Sequence, residues 1–233
     1  GSFDAQVMEA HYEGLSNRTL WPLCHDVGVE VEYRDGWWDS YRQVNQVFAE
    51  RVAEIVAPGG VVWVHDYQVM LASQMIRELR PDVRIGYFHH IPFPESFHNF
   101  PHSTELVNGV LGADVVGFQR TSDVAHFVDA ATQAGVAKTT KTTNLSVGDR
   151  QVVVDAFPIS LDFLAVSQAA ASEEVGQKAW ELRDKLGQPT TIFLGVDRID
   201  YTKGIPERLE AHQALLDASQ LSVEAVVFIQ AGS

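Results

Sequence analysis

The chain has 233 residues, 45% of them hydrophobic and 21% charged, which gives apolar material for one large or two small globular domains. Its formal net charge of -14 argues against nucleic acid and anionic membranes as partners, because the field of the whole molecule repels both. Cys24 is the single cysteine, so an intramolecular disulfide and a cysteine-based zinc site are excluded and a reducing cytosol is the natural compartment.

No apolar run is long enough to span a bilayer, and the N-terminus has neither a basic start nor an apolar signal core. Gly1-Ser2 reads as a cloning scar, so the chain is expected to be cut from something longer. In chain order, the spacing predicts a long amphipathic helix over 38–56, with Tyr41, Val44, Val47 and Phe48 facing inward. Gly59-Gly60 opens a short apolar strand over 61–64 that ends in His65-Asp66. Residues 67–80 carry helical spacing, with Met70, Leu71, Met75, Ile76 and Leu79 on one side, and Pro81-Asp82 breaks it.

A strand over 84–88 ends in His89-His90-Ile91-Pro92-Phe93-Pro94, and a helix near 105–111 is stopped by Gly112. Asp114 to Phe118 reads as a strand. Thr121-Ser122-Asp123 then caps a helix over 124–133 that Gly135 closes. Residues 138–157 read as a hairpin turning near Val147-Gly148-Asp149, and Phe157-Pro158-Ile159-Ser160 as a crossover. A helix over 173–186, a strand over 191–196, a helix opening at Gly204-Ile205-Pro206 and a strand over 226–229 complete the pattern. Repeated strand–helix units predict α/β architecture, a parallel sheet with helices on both faces. Ligands of such sheets bind beyond the carboxyl ends of the strands. Two domains are expected, 1–160 and 161–233, the second too short to be complete.

The polar residues of interest fall at those strand ends. Arg198 and Lys203 stand where an apolar strand gives way to a helix, an arrangement suited to a diphosphate. The bland alternative pairs Arg198 with Asp197 or Asp200 and leaves Lys203 as a solvated surface residue. Asp66 either caps the following helix or accepts hydrogen bonds from sugar hydroxyls. His89 and His90, on a loop stiffened by two prolines, suit a neutral imidazole bonded to a substrate hydroxyl better than a metal cluster with His98 and His102. Tyr12 and Trp21 can stack on a sugar ring, although core packing of Leu20 and Trp21 is the stronger local reading.

The segments HYEGLSNRTLW, WVHDYQVML, GYFHHIPFP, LGADVVGFQ, AFPISLD and GVDRIDYTKGIPERL occur in this order. Together they resemble the trehalose-6-phosphate synthase family of retaining glycosyltransferases, from about residue 10 to residue 230. The resemblance implies a GT-B fold, two Rossmann-like domains facing each other across a cleft, the second truncated here. It implies transfer of glucose from a nucleotide diphosphate glucose, UDP-glucose first among them, to glucose 6-phosphate, with no metal and no other cofactor. Matched by motif, Arg198, Lys203 and Gly204 hold the donor diphosphate and His90 the donor sugar. Asp66, Tyr12 and Trp21 meet the acceptor. Asp66, His90, Arg198 and Lys203 are the expected catalytic set.

The family's glycine-containing N-terminal loop and its later donor-gripping segments are not in this sequence, so the chain alone is expected to be inactive. A homo-oligomer or a complementing fragment fits the apolar surface this would leave open. Related glucosylglycerol-phosphate synthases and pseudo-glycosyltransferases rank second, and a non-catalytic sugar-phosphate sensor third.

Overall fold

A computed structural model describes residues 3–26, 30–141 and 144–232. The N-terminal segment is helical throughout but changes pitch: α1 (Ala5–Met8) passes into a π-helix (Glu9–Leu20) and then into α2 (Trp21–His25). The Trp21 N–H donates to the Ser16 carbonyl five residues back, and Pro22, which has no N–H, follows. The long amphipathic helix is α3 (Trp37–Ile55).

Alternation then begins with β1 (Val61–His65), a 3-10 turn (Tyr67–Val69) and α4 (Ala72–Leu79). Next come β2 (Arg84–Phe88), a 3-10 helix (Glu95–Asn99), α5 (Ser103–Val110), β3 (Val115–Phe118) and α6 (Thr121–Gln133). A meander of β4 (Lys138–Lys141), β5 (Asn144–Val147) and β6 (Arg150–Ala156) closes this part. It is followed by α7 (Phe163–Ala170), α8 (Glu173–Lys185), β7 (Thr191–Asp197), a 3-10 turn (Tyr201–Lys203), α9 (Ile205–Asp217) and β8 (Val226–Gly232).

The chain divides into two units, Gly1–Ile159 and Ser160–Ser233. The first holds a six-stranded sheet of order β1-β2-β3-β6-β5-β4, parallel across β1, β2, β3 and β6, with antiparallel β5 and β4 at the edge. The hairpin turn at Gly148 lies where the sequence predicts it, with Gly148 at φ 57°. The second unit pairs β7 and β8 in parallel across the α9 crossover. Residues there are mostly exposed, Leu194 at 67% and Val196 at 72%.

Helices do not cover both faces of the large sheet, contrary to the sequence reading. The parallel strands follow one another in space in chain order, and right-handed crossovers then place every helix on the same side. Val62, Val64, Ile85, Tyr87, Val116, Phe118, Val152 and Val154 face those helices and are buried. The opposite face carries Val61 and Trp63, both largely exposed among the described residues.

Other expectations need correction. The helix predicted over 67–80 is broken at its start, because Tyr67 to Leu71 is tied to α3 by side chains. The Tyr41 hydroxyl donates to the Tyr67 carbonyl at 2.6 Å and accepts from the Met70 N–H at 3.0 Å. Asn45 donates to the Gln68 carbonyl at 3.2 Å and accepts from the Leu71 N–H at 3.1 Å. On α3, Tyr41 and Val44 are buried as expected, whereas Val47 and Phe48 are exposed.

The helix before Gly112 does end there, at Val110 with Leu111 as its cap. Gly112 is also a contact point: a Cβ there would run into the backbone of Gln74, and one at Gly109 would lie 2.6 Å from the Met70 carbonyl oxygen. Thr121-Ser122-Asp123 is the first turn of α6 rather than its cap, and Arg120 takes the cap position. Gly135, at φ 69°, does end that helix.

The amino ends of the strands are closed by charge. Arg77 donates to Asp114 at 2.7 Å and to the Val83 carbonyl at 2.7 Å, and Asp114 accepts from the Ile85 N–H at 2.8 Å. Arg150 holds the Leu111 carbonyl at 2.6 Å. The carboxyl ends are left for other uses.

Two buried histidines set the pH response. Burial pushes His11 down to about 4 and His89 down to about 3. In the unfolded chain both protonate near the ordinary value of about 6.5. Below that pH the unfolded state binds more protons, so their contribution to stability is full above about 6.5 and is lost as pH falls toward 4 and then 3. Urea midpoints measured from pH 7 to pH 4 should fall steadily, and His89→Gln should flatten the slope; an unchanged slope refutes the assignment. Tyr41→Phe, which removes the partner of the Met70 N–H, should cost about 1–3 kcal/mol in the same measurement.

Candidate functional site

The first unit gathers four of the residues singled out in the sequence at the carboxyl ends of β1 and β2 and on the helical segment beside them. Asp66 follows β1 with φ 71° and ψ 175°, a region that residues with a Cβ occupy only under strain. Its side chain does not cap the following turn. Asp66 Oδ1 accepts from the backbone N–H of His90, at 3.1 Å, across the neighbouring strand. Burial raises the Asp66 carboxyl above its ordinary value, and the N–H groups of His90 and Tyr67 oppose that rise.

His90 is exposed, and its Nε2 lies 2.9 Å from Nδ1 of His65. The two rings therefore share one proton in a hydrogen bond when both are neutral. Burial, then the neighbouring His90, lowers His65 below its ordinary value. His89 points the other way. It is fully buried beside the Tyr87 hydroxyl at 2.9 Å and is a core residue, so only one of the two adjacent histidines faces solvent. His98 Nδ1 meets the Glu95 carbonyl and His102 stacks on Trp38 at 3.9 Å. No group of three or more His, Cys, Asp or Glu is placed to hold a metal ion among the described residues.

Trp21 is half-buried at the edge of the core, while Leu20 is wholly inside it. The Trp21 ring lies 3.8 Å from His25 and 5.7 Å from Tyr67. Tyr67, next to Asp66, donates its hydroxyl to Asn17 Oδ1 at 3.0 Å. Its pKa is raised, first by burial and then by the fields of Asp66 and Tyr12. Tyr12, about half exposed, thus belongs to the same neighbourhood. Sequence reasoning named the stretches that hold Asn17, His65 and Tyr67 but gave these three no role of their own. All three lie inside the quoted motifs, but only the fold shows what each touches.

The second unit gathers Arg198, Lys203 and Gly204 between β7 and α9. The ion pairs of Arg198 in the bland alternative, with Asp197 or Asp200, are not formed among the described residues. Asp197 instead pairs with Arg208 at 2.9 Å and accepts from Gln230 at 3.2 Å, and these bonds lower its pKa. Asp200 accepts from the Thr202 N–H at 2.8 Å and the Thr202 hydroxyl at 2.7 Å. Its pKa is lowered first by the Thr202 N–H, and the fields of Arg198 and Lys203 add to this. Arg198 and Lys203 are exposed and make no ion pair among the described residues.

Gly204 takes the left-handed conformation at φ 60° and is the N-cap of α9, whose second residue is Pro206. The helix N-terminus adds partial positive charge beside the two cations. Arg208, which sequence reasoning did not single out, is the organiser of this turn: it also donates to the Lys203 carbonyl at 3.1 Å.

Comparison with known proteins agrees with these motifs. Residues 2–233 match the model of glycosyltransferase family 20. Among curated relatives, a protein of Mycobacterium sp. (strain KMS) named trehalose-6-phosphate synthase is 45% identical over 98% of this chain and 49% of its own length. A protein of the same name from Mycolicibacterium vanbaalenii is 46% identical over 94% of this chain and 47% of its own. The chain therefore spans about half the length of the curated relatives it matches.

Among solved structures, the UDP-forming alpha,alpha-trehalose-phosphate synthase of Burkholderia vietnamiensis superposes with a TM-score of 0.85. It is 30% identical over 99% of this chain and 50% of its own. The enzyme of Burkholderia xenovorans in complex with glucose-6-phosphate gives 0.86 at 29% identity, over 98% and 52%. The fold is thus α/β of the GT-B type. With the family model matching the chain from residue 2 to its end, this protein belongs to glycosyltransferase family 20.

Proposed function

We propose that this chain carries the acceptor-side and donor-side elements of a retaining glucosyltransferase that moves glucose from UDP-glucose to glucose 6-phosphate, giving trehalose 6-phosphate. The observation that carries the reading is the cation pair of the second unit. In a chain of net charge -14, Arg198 and Lys203 stand at a helix start without an ion pair among the described residues, while the carboxylates beside them, Asp197 and Asp200, bond to Arg208 and Thr202. An arginine fork, a mobile ammonium and a helix N-terminus at Gly204 suit a diphosphate that gains charge as it leaves.

Residues of the first unit take the acceptor. Asp66 receives acceptor hydroxyls, Tyr12 and Trp21 line the sugar, and His90 reaches the donor glucose. The acceptor hydroxyl attacks the anomeric carbon on the face that the diphosphate leaves. The bond to the diphosphate oxygen breaks with its electron pair, and that oxygen takes the proton. The configuration is retained without a protein nucleophile, and the cations stabilise the transition state more than the ground state. They also supply the charge a metal would otherwise supply, so none is required. A double displacement would need Asp66, the one carboxylate candidate of the motifs, as nucleophile, whereas this reading gives Asp66 to the acceptor. The same reading places the protein in the cytosol, in keeping with Cys24 as a free, buried thiol.

Calorimetry with UDP tests the donor half. The wild-type chain should bind, and an Arg198→Ala, Lys203→Ala double variant should lose about a hundredfold or more, since hydrogen bonds to charged groups contribute about 1.5–3 kcal/mol each. Equal affinity in the variant, or no binding by the folded wild type, sinks the assignment. The acceptor half is tested at Asp66. Asp66→Ala and Asp66→Gly should both lose glucose 6-phosphate. Asp66→Gly should unfold at higher urea, by about 1–2 kcal/mol, because glycine alone relaxes that backbone. Equal stability of the two variants would show that the strain is not there.

A further inference from the structure

A cavity of about 600 Å³ opens in the first unit between the start of α6, the Pro92–Pro94 loop, the following 3-10 helix and the end of α2. Its volume lies within the range of about 300–1,000 Å³ usual for small-molecule sites. Its wall contains none of Tyr12, Trp21, Asp66 or His90.

Asp123 is the chemical centre of this wall. The residue is 3% exposed, and its Oδ1 accepts from the Phe93 N–H at 3.3 Å. Its Oδ2 is buried and has no hydrogen-bond partner among the described residues; Nε of Arg120 forms an ion pair with it at 3.8 Å, beyond hydrogen-bond reach. A buried carboxylate oxygen left without a donor is costly, and α6 keeps one here beside an open cavity.

Three imidazoles share the wall. His25 meets the Trp21 carbonyl at 2.8 Å, His98 the Glu95 carbonyl at 3.0 Å and His126 the Phe93 carbonyl at 2.8 Å, each through Nδ1. A carbonyl only accepts, so each Nδ1 carries the proton and each Nε2, in the neutral ring, is an acceptor. The wall is therefore rich in acceptors that need donors.

Two ligand classes are disfavoured. A metal ion finds no suitable group of three or more ligands among the described residues. An anion meets Asp26, Glu95 and Asp123 against the one cation Arg120. The acceptor-rich wall suits a molecule with several hydroxyl donors, whose C–H face can lie on Phe93 and Pro92. We propose that this cavity binds a neutral polyhydroxylated molecule of hexose or disaccharide size, with Asp123 Oδ2 as the principal acceptor. The site is separate from the one that Asp66 serves. It touches it indirectly, because the His25 ring lies 3.8 Å from that of Trp21, tilted by 36°.

The test uses the full chain labelled with nitrogen-15, with D-glucose and α,α-trehalose as probes. Imidazole signals of His98 and His126, both in the cavity wall, are followed during titration. Saturable shifts are expected in the wild type and equally in Asp66→Ala. Affinity should fall about tenfold or more in Asp123→Asn, which replaces an acceptor oxygen by a donor. It should fall similarly in Ser122→Trp, which fills the mouth from an exposed position and guards against misfolding of the first variant. No saturable shift with either sugar, binding unaffected in both cavity variants, or binding lost in Asp66→Ala alone would overturn the proposal. Failure of the Asp66 reading leaves these outcomes unchanged.

Discussion

The loop that carries Asp66 stands on two buried side chains of α3. Five consecutive residues, Tyr67 to Leu71, follow β1 without completing a regular helix, so their backbone groups need partners from elsewhere. Tyr41 and Asn45, one turn apart on α3, supply them at Tyr67, Gln68, Met70 and Leu71. With the segment fixed from below, β1 turns abruptly enough to leave Asp66 at a positive φ and to aim its carboxylate at the His90 N–H. Strain of this kind persists only where surrounding contacts over-determine it. The hydroxyl of Tyr41 is thus as much a part of the site as the aspartate it never touches.

One-sided covering of the sheet has a similar single origin. Because β1, β2, β3 and β6 follow in spatial order, every crossover helix falls on one face and the core is built there. Strand carboxyl ends stay open while the amino ends are sealed by Arg77, Asp114 and Arg150. Polar groups that would be expensive inside are therefore collected along one edge, where Asp66 and His90 can meet solvent and ligand.

Much of this was legible in the sequence. The strands after Gly60, Pro81 and Gly112, the turn at Gly148 and the helix opened by Gly204 and Pro206 all carry local signals, and they sit where those signals place them. What failed depended on partners distant in sequence. Helical spacing over 67–80 is real, yet Tyr41 and Asn45 outbid the helix for its first backbone groups. Val47 and Phe48 satisfy the inward stripe of α3 but lie past the edge of what it packs on. His89 and His90 are adjacent and chemically identical; only the pleat decides that one is core and the other solvent-facing. Doubly covered sheets were inferred from alternation alone, whereas the spatial order of strands, which fixes the side each helix takes, leaves no local trace.

The cation pair shows the same limit from the other direction. Sequence alone leaves Arg198 with two obvious partners, Asp197 and Asp200, and no reason to prefer a ligand over them. The fold removes both. Arg208 reaches back from the first turn of α9 to take Asp197, and Thr202 turns back onto Asp200. Each carboxylate is held in its charged form by a neighbour other than Arg198, as the lowered pKa values of both reflect. Their negative charge still moderates the local field, which keeps an exposed arginine and lysine tolerable in one turn. One oxygen of each is engaged, Asp197 Oδ2 by Arg208 and Gln230 and Asp200 Oδ1 by Thr202, and neither carboxylate pairs with Arg198 or Lys203 among the described residues. Thr202, Arg208 and Gln230 thus shape this turn as much as the two cations do, because they direct the nearby carboxylates away from Arg198 and Lys203.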